Sequence, residues 1–190
     1  MPPPHEIWIF RHGETAWTLS GQHTGRTDIP LTDGGRREAA MLASKLHGRS
    51  FALVLTSPLA RAFETCRLAG YGDVAQRCDD LMEWDYGADE GRRKDEIRAE
   101  RPGWSIWKDG VRGGETIEQV AERARRVLAR AESTAGDVAL FAHAHLLRIL
   151  TACWIELPPQ NGRHFDLAPA TIGVLARKDG DPVIRKWNLA

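Results

Sequence analysis

Short apolar blocks alternate with stripes of helical period along most of this chain. Residues 6–10 form a run short enough for a buried strand, and Phe51 to Leu55 form a second. The polar, glycine-containing stretch 18–31 predicts a long loop. Thr32 is placed to cap a helix over about 33–47, with Ala39, Ala40, Leu42, Ala43 and Leu46 on its inner side. Ser57-Pro58 predicts the next helix, with Ser57 as cap and Pro58 at the first helical position, ending near Ala69 before Gly70.

The stretch 71–92 reads as irregular, with a strand around 74–78, and 93–100 as a short polar helix. Residues 102–110 predict a loop carrying Trp104 and Trp107. Thr116 and Gln119 make a capping box ahead of an amphipathic helix that runs to about Ala135. Its inward face is Ile117, Val120, Ala121, Ala124, Val127, Leu128 and Ala131. A buried strand at 137–142 and a helix at 144–156 follow, the helix ended by Pro158-Pro159. The tail alternates over 171–176 and 182–187, a hairpin across Asp179-Gly180-Asp181. Strands alternating with helices imply an α/β sandwich with helices on both faces.

Length and charge narrow the function. The 190 residues favour one domain with a small cap. Lys plus Arg number 26 and Asp plus Glu number 26, so broad attraction to nucleic acid or to a membrane surface is not expected. Cys66, Cys78 and Cys153 are odd in number and widely spaced, which predicts reduced thiols in a cytoplasmic protein and not a disulfide frame or zinc site. The first residues have neither the basic nor the apolar region of a signal peptide. No apolar run approaches the roughly 20 residues of a membrane helix.

The chemistry concentrates where strands end. Arg11 and His12 follow the first strand, Arg61 lies one turn into the helix after the second, and His143 follows the strand at 137–142. In open α/β sheets, ligands bind outside the carboxyl ends of strands, so three distant segments are expected at one crevice. Arg11 and Arg61 can each grip two phosphoryl oxygens, the helix start at 57–61 adds N–H donors and a favourable dipole, and His143 adds a donor. His12 is then the natural nucleophile, with one ring N–H held by a backbone carbonyl. Glu83 is the candidate acid for the leaving oxygen and base for the incoming water.

The ordered motifs resemble the histidine phosphatase (phosphoglycerate-mutase-like) superfamily. R-H-G-[EQ]-T matches 11–15, T-G-x-x-D-x-P-L-T matches 24–32, and S-P-L-x-R-A-x-x-T matches 57–65. L-x-E matches 81–83, G-E-T matches 114–116, and H-x-H-x-x-R matches 143–148. The resemblance implies a three-layer α/β sandwich with a mostly parallel sheet, as one domain over 1–190 with about 79–115 as a cap or lid. It implies His12 as the phosphorylated residue, Arg11, Arg61 and His143 as phosphoryl ligands, and Glu83 as proton donor. Thr18 stands where relatives carry an asparagine or serine that contacts phosphate, and Thr24 and Gly25 fall in the substrate-binding set.

Finer features resemble the sedoheptulose-1,7-bisphosphatase-like branch, through 20–25, 83–87, 104–110 and 141–145. That likeness implies Tyr86 and Arg148 as pocket residues, with Arg148 holding a second phosphate. Ala144 replaces the glycine that the family favours between the two histidines.

Three functions follow as alternatives. The leading one is a metal-independent, cofactor-free phosphatase acting on small phosphate esters, sugar phosphates or bisphosphates. The second is mutase-type phosphoryl transfer, against which stands the expected lack of a longer insert and of a C-terminal tail closing the site. The third is a non-catalytic phosphate-binding regulator. No nucleic-acid or membrane partner is expected, and a homodimer is left open. His143 and His145 as a metal pair lack a third ligand at convincing spacing, and His145 reads as packing or orienting the site. Trp104 and Trp107 serve either as a lid or as loop anchors.

Overall fold

The structure is a computed structural model that describes residues 5–190. The prolines at 2–4, and the reading of the first residues as carrying no leader, lie largely outside the described residues. Six strands form one sheet in the order β3-β2-β4-β1-β5-β6. They are β1 (Glu6–Arg11), β2 (Leu53–Thr56), β3 (Ala75–Arg77), β4 (Val138–Ala142), β5 (Ile172–Lys178) and β6 (Asp181–Leu189). The pairs β1–β4, β2–β4 and β2–β3 are parallel, while β5 and β6 add an antiparallel edge. The fold is therefore the expected α/β sandwich with a mostly parallel sheet.

Side-chain alternation along β1 feeds two cores. Ile7 and Ile9 pack with Leu140 of β4 and with Val120, Val127 and Leu147 from helices α6 (Ile117–Glu132) and α7 (Ala144–Trp154). Trp8 and Phe10 pack with Leu42 and Leu46 of α2 (Asp33–Leu46) and Cys66 of α3 (Ala60–Leu68) on the opposite face. With both faces covered, β4 reads as the continuous apolar run that a central parallel strand requires. The tail hairpin turns at Asp179 and Gly180, both left-handed (φ 55° and 96°), which suits the twist of the flanking strands.

Several boundaries differ from expectation. The segment 18–31 is not all loop, because α1 (Ala16–Ser20) occupies its start. Thr15 and Thr18 close a reciprocal capping box there, and a five-residue helix is too short to show a period. Strand β2 begins at Leu53, two residues later than expected. In α2 the buried stripe is Gly35, Ala39, Leu42 and Leu46, while Ala40 and Ala43 are exposed. At about 100° per residue, Ala43 and Ala40 lie about 65° and 125° off that stripe.

Ser57 does not cap α3. The helix begins at Ala60, whose N–H donates to the Asp28 carboxylate at 2.8 Å. The expected anion-binding helix start is thus already served by a protein carboxylate. The loop with two tryptophans contains the short helix α5 (Ile106–Asp109), while α4 (Lys94–Glu100) is the short polar helix expected over 93–100. Trp104 and Trp107 are both buried in the α6/α7 core, so they anchor their loop.

Gly13 and Gly35 let the loop after β1 lie directly on the first turn of α2. A Cβ on Gly35 would meet the Glu14 carbonyl oxygen at 2.2 Å, and one on Gly13 would meet the Gly35 oxygen at 2.5 Å. Backbone cannot yield as a flexible side chain does, so Gly35→Ala is expected to cost about 2 kcal/mol, in the range of overpacking. Denaturant unfolding of the variant checks this. A midpoint equal to that of wild type would show that the two segments are not in tight contact.

Candidate active site

Strand register brings His12 and His143 together. Arg11 pairs with Ala142 across β1 and β4, so His12 and His143 follow at neighbouring strand ends, with ring centroids 5.2 Å apart. His12 is buried, and its Nδ1–H donates to the Gly13 carbonyl at 2.7 Å. A carbonyl only accepts, so the neutral ring carries its proton on Nδ1 and presents a lone pair at Nε2. Nε2 has no partner among the described residues, yet it is not sealed from solvent. Burial, with the Arg61 and Arg11 charges, pushes the His12 pKa well below the usual histidine value.

Arg61 is fully buried. Its Nη2 donates to the carbonyls of Thr24 and Gly25 (3.2 and 2.7 Å), its Nη1 to that of Thr27 (2.9 Å), and its Nε to His143 Nδ1 (3.2 Å). The fork is largely committed to the loop over it, so the expected two-oxygen grip is not free here. His143 Nδ1 must accept from the guanidinium, which puts the His143 proton on Nε2, donated to Ser57 Oγ at 2.8 Å. The phosphate-facing donor expected of His143 is therefore also engaged within the protein. Ser57 lost its role as helix cap and became the anchor of this ring.

Arg11 donates through Nη1 to the Leu167 carbonyl, while its buried Nε has no partner. Burial is the main cause lowering its pKa. An unpaired buried donor on a permanent cation is a standing demand for an anion.

Glu83 is buried with its carboxylate at the start of α7. Oε1 accepts from the N–H groups of Trp84 (3.0 Å) and Leu146 (2.9 Å), and Oε2 from that of His145 (3.0 Å). Arg123, a buried cation on α6 that sequence reasoning passed over, fixes the segment. It donates to the carbonyls of Asp80, Met82 and Glu83 and pairs with the Glu115 carboxylate at 2.8 Å. The only sequence signal was an arginine interrupting the apolar stripe of α6.

A cavity of about 180 Å³ joins these groups. Arg11, His12 and Glu83 line it together with Thr18, Thr24, Tyr86, His23 and His145. Thr18 lies at the wall, but its hydroxyl donates to the Thr15 carbonyl (2.8 Å) and accepts from the Thr15 N–H, leaving no donor for phosphate. Gly25 does not line the cavity. It holds Arg61 through its carbonyl and Glu90 through its N–H. Tyr86 does line it, 2.6 Å from His145 Nδ1.

Arg148 departs from expectation most clearly. Its guanidinium stacks on Trp107 (4.7 Å) and donates to the carbonyls of Gly162 (3.0 Å) and Arg163 (3.2 Å), away from the cavity lining. A buried tryptophan face and two carbonyls satisfy the guanidinium without a phosphate, and sequence spacing does not distinguish the two outcomes. The two histidines weighed as a metal pair are each engaged by protein groups, His143 by Arg61 and Ser57 and His145 by Tyr86. Among the described residues no cluster of three or more His, Cys, Asp or Glu is arranged to hold a metal ion, and no helix is long and apolar enough to cross a membrane.

The family model "Histidine phosphatase superfamily (branch 1)" matches residues 7–190. The chain belongs to the histidine phosphatase superfamily. An acid phosphatase of Mycobacterium tuberculosis is 38% identical over 181 residues, covering 93% of this chain and 88% of the relative. Sedoheptulose 1,7-bisphosphatase of Saccharomyces cerevisiae is 36% identical over 186 residues, covering 80% and 68%. A solved structure from the Mycobacterium tuberculosis open reading frame Rv3214 superposes with a TM-score of 0.92 at 34% identity, covering 98% of both chains. The protein is a phosphatase of this superfamily.

Three buried neutral imidazoles are expected to make the fold acid-sensitive. Burial, then neighbouring positive groups, holds His12, His143 and His145 well below the ordinary value. In the unfolded chain each titrates near about 6.5, so unfolding takes up protons on the acid side. Stability is then expected to fall below about pH 6.5, by up to roughly 4 kcal/mol per pH unit for three protons. Urea titrations at pH 7 and pH 5 measure this, and equal stabilities would contradict the buried neutral state.

Proposed function

We propose that this phosphatase hydrolyses monoesters of small phosphorylated metabolites, with sugar phosphates or bisphosphates favoured, through a phosphohistidine on His12. The observation that carries the reading is the state of His12. Its proton is fixed on Nδ1 by a carbonyl, and its Nε2 lone pair faces a cavity shared with Arg11 and Glu83.

In the first step, Nε2 attacks phosphorus in line with the ester oxygen. The P–N bond forms, the P–O bond breaks, and Glu83 in its protonated form gives its proton to the departing alkoxide. Arg11, with its unpaired Nε, stabilises the charge spread over the phosphoryl oxygens. Arg61 and His143 serve that group from behind the cavity, once substrate competes for the donors they lend to carbonyls and to Ser57. In the second step the Glu83 carboxylate takes a proton from water, the new P–O bond forms, and the P–N bond breaks. Phosphate leaves and His12 returns to its neutral form. The guanidinium charges do the electrostatic work, so no metal ion is needed in this scheme. The segment 79–115 brings Glu83 and Tyr86 to the cavity and is its cap.

His12→Ala is expected to abolish turnover by at least about a thousandfold, as for loss of a covalent nucleophile, and to abolish any acid-labile phosphate on the protein. Rapid-quench trapping with radiolabelled substrate tests both, and turnover surviving in that variant would remove His12 from the role. Glu83→Gln should slow alkyl phosphates by about 100-fold and aryl phosphates far less, because an aryl oxide leaves without a proton. Equal slowing of the two substrate types would take the acid role from Glu83.

A further inference from the structure

The outer wall of the cavity has a specific hydrogen-bonding character. Most of its polar groups are already spent on backbone. The Gln22 amide donates to the Gly91 carbonyl and accepts from Ser20, Thr18 is closed on Thr15, and the Thr24 hydroxyl donates to the Gln22 carbonyl. Two imidazoles remain. The rings of His23 and His145 lie near-parallel, 11° apart in plane, with centroids separated by 6.3 Å.

Their polarities are opposite. His23 Nδ1–H donates to the Arg92 carbonyl at 2.8 Å, so the neutral ring offers a lone pair at Nε2. His145 Nδ1 lies 2.6 Å from the Tyr86 hydroxyl. A phenol is a stronger hydrogen-bond donor than a neutral imidazole, and an imidazole nitrogen a stronger acceptor than a phenol oxygen, so the hydroxyl donates and the His145 proton lies on Nε2. Burial, with the charge of Arg148 and the neighbouring His23, favours the neutral form of His145. Among the described residues neither Nε2 has a protein partner, and neither is sealed from solvent.

We infer that His23 and His145 form a hydroxyl-reading subsite, which selects the polyol part of a sugar monophosphate over the second phosphate of a bisphosphate. A hydroxyl both gives and accepts, so adjacent hydroxyls match one acceptor and one donor side by side. Among the described residues, the lining of the cavity offers a second phosphate no further cation. Among the described residues Arg11 is the only arginine or lysine lining the cavity and belongs to the reacting phosphoryl group, while Arg148 stacks on Trp107 outside the lining, with its Nε and Nη2 on two carbonyls. The inference rests on the hydrolytic reading above and narrows its substrate class. His23 is a specificity residue, and its ring is held in place by edge contacts to Tyr86 and Trp104.

The test compares fructose 6-phosphate, fructose 1,6-bisphosphate and p-nitrophenyl phosphate on wild type, His12→Ala, His23→Asn and His23→Gln. Asparagine can keep the donor to the Arg92 carbonyl but has nothing at the Nε2 position, whereas glutamine reaches that position with an acceptor. Wild type is expected to prefer the monophosphate over the bisphosphate in kcat/KM. His23→Asn should lose about tenfold on fructose 6-phosphate, mostly in KM, as for one unmade hydrogen bond, and less than about twofold on the aryl phosphate. His23→Gln should recover part of the loss. Equal losses on both substrates, or a wild-type preference for the bisphosphate, would overturn the subsite while His12-dependent aryl phosphate hydrolysis leaves the hydrolytic reading standing. Aryl phosphate turnover that survives His12→Ala would overturn both.

Discussion

A permanent cation without exposed surface organises this site. Arg61 enters from the first turn of α3 and ends among the carbonyls of residues 24, 25 and 27, with His143 on its Nε. Stripping water from a guanidinium is costly unless each donor finds an acceptor. Meeting that demand fixes the loop over the site, chooses the tautomer of His143, and through it engages Ser57. The same charge helps to keep His12 neutral. One unavoidable ion thus sets the backbone path and the proton position on His143, and favours the neutral form of His12.

A second buried arginine does comparable work on the opposite side. Arg123 gathers the carbonyls of Asp80, Met82 and Glu83, and this fixes an irregular segment that no regular ladder supports. Glu83 can then turn its carboxylate onto the N–H groups that open α7. The Glu83 side and the His12 side of the cavity are therefore each clamped by a cation outside the cavity lining. The geometry of the candidate site comes from charge satisfied by carbonyls, because loops supply most of the surrounding backbone.

Regular elements were legible because burial imposes a period. The β1 and β4 blocks, the α6 stripe and the tail hairpin follow directly from alternation and capping, and the family motifs named the superfamily. Short or irregular pieces were not legible. Helix α1 has too few residues to show a period, and Ser57-Pro58 looked like a cap although the helix begins three residues later. The same serine satisfies either role, and only the position of His143 decides between them.

Within the candidate site, sequence order placed Arg11, His12, Arg61 and His143 at strand ends, and a parallel sheet brings such ends to one edge. That much needs only covalent order and the handedness of βαβ connections. Which hydrogen atoms are free is a different question. The engagement of Arg61 and His143, the closure of Thr18 on Thr15, the stacking of Arg148 on Trp107 and the pairing of His23 with His145 depend on atoms far apart in the chain. The sequence by itself determined the candidates Arg11, His12, Arg61 and His143 and the edge at which they meet. Only the tertiary structure decided which donors and acceptors remain unspent, because hydrogen-bond partners are assigned by packing in three dimensions and not by spacing along the chain.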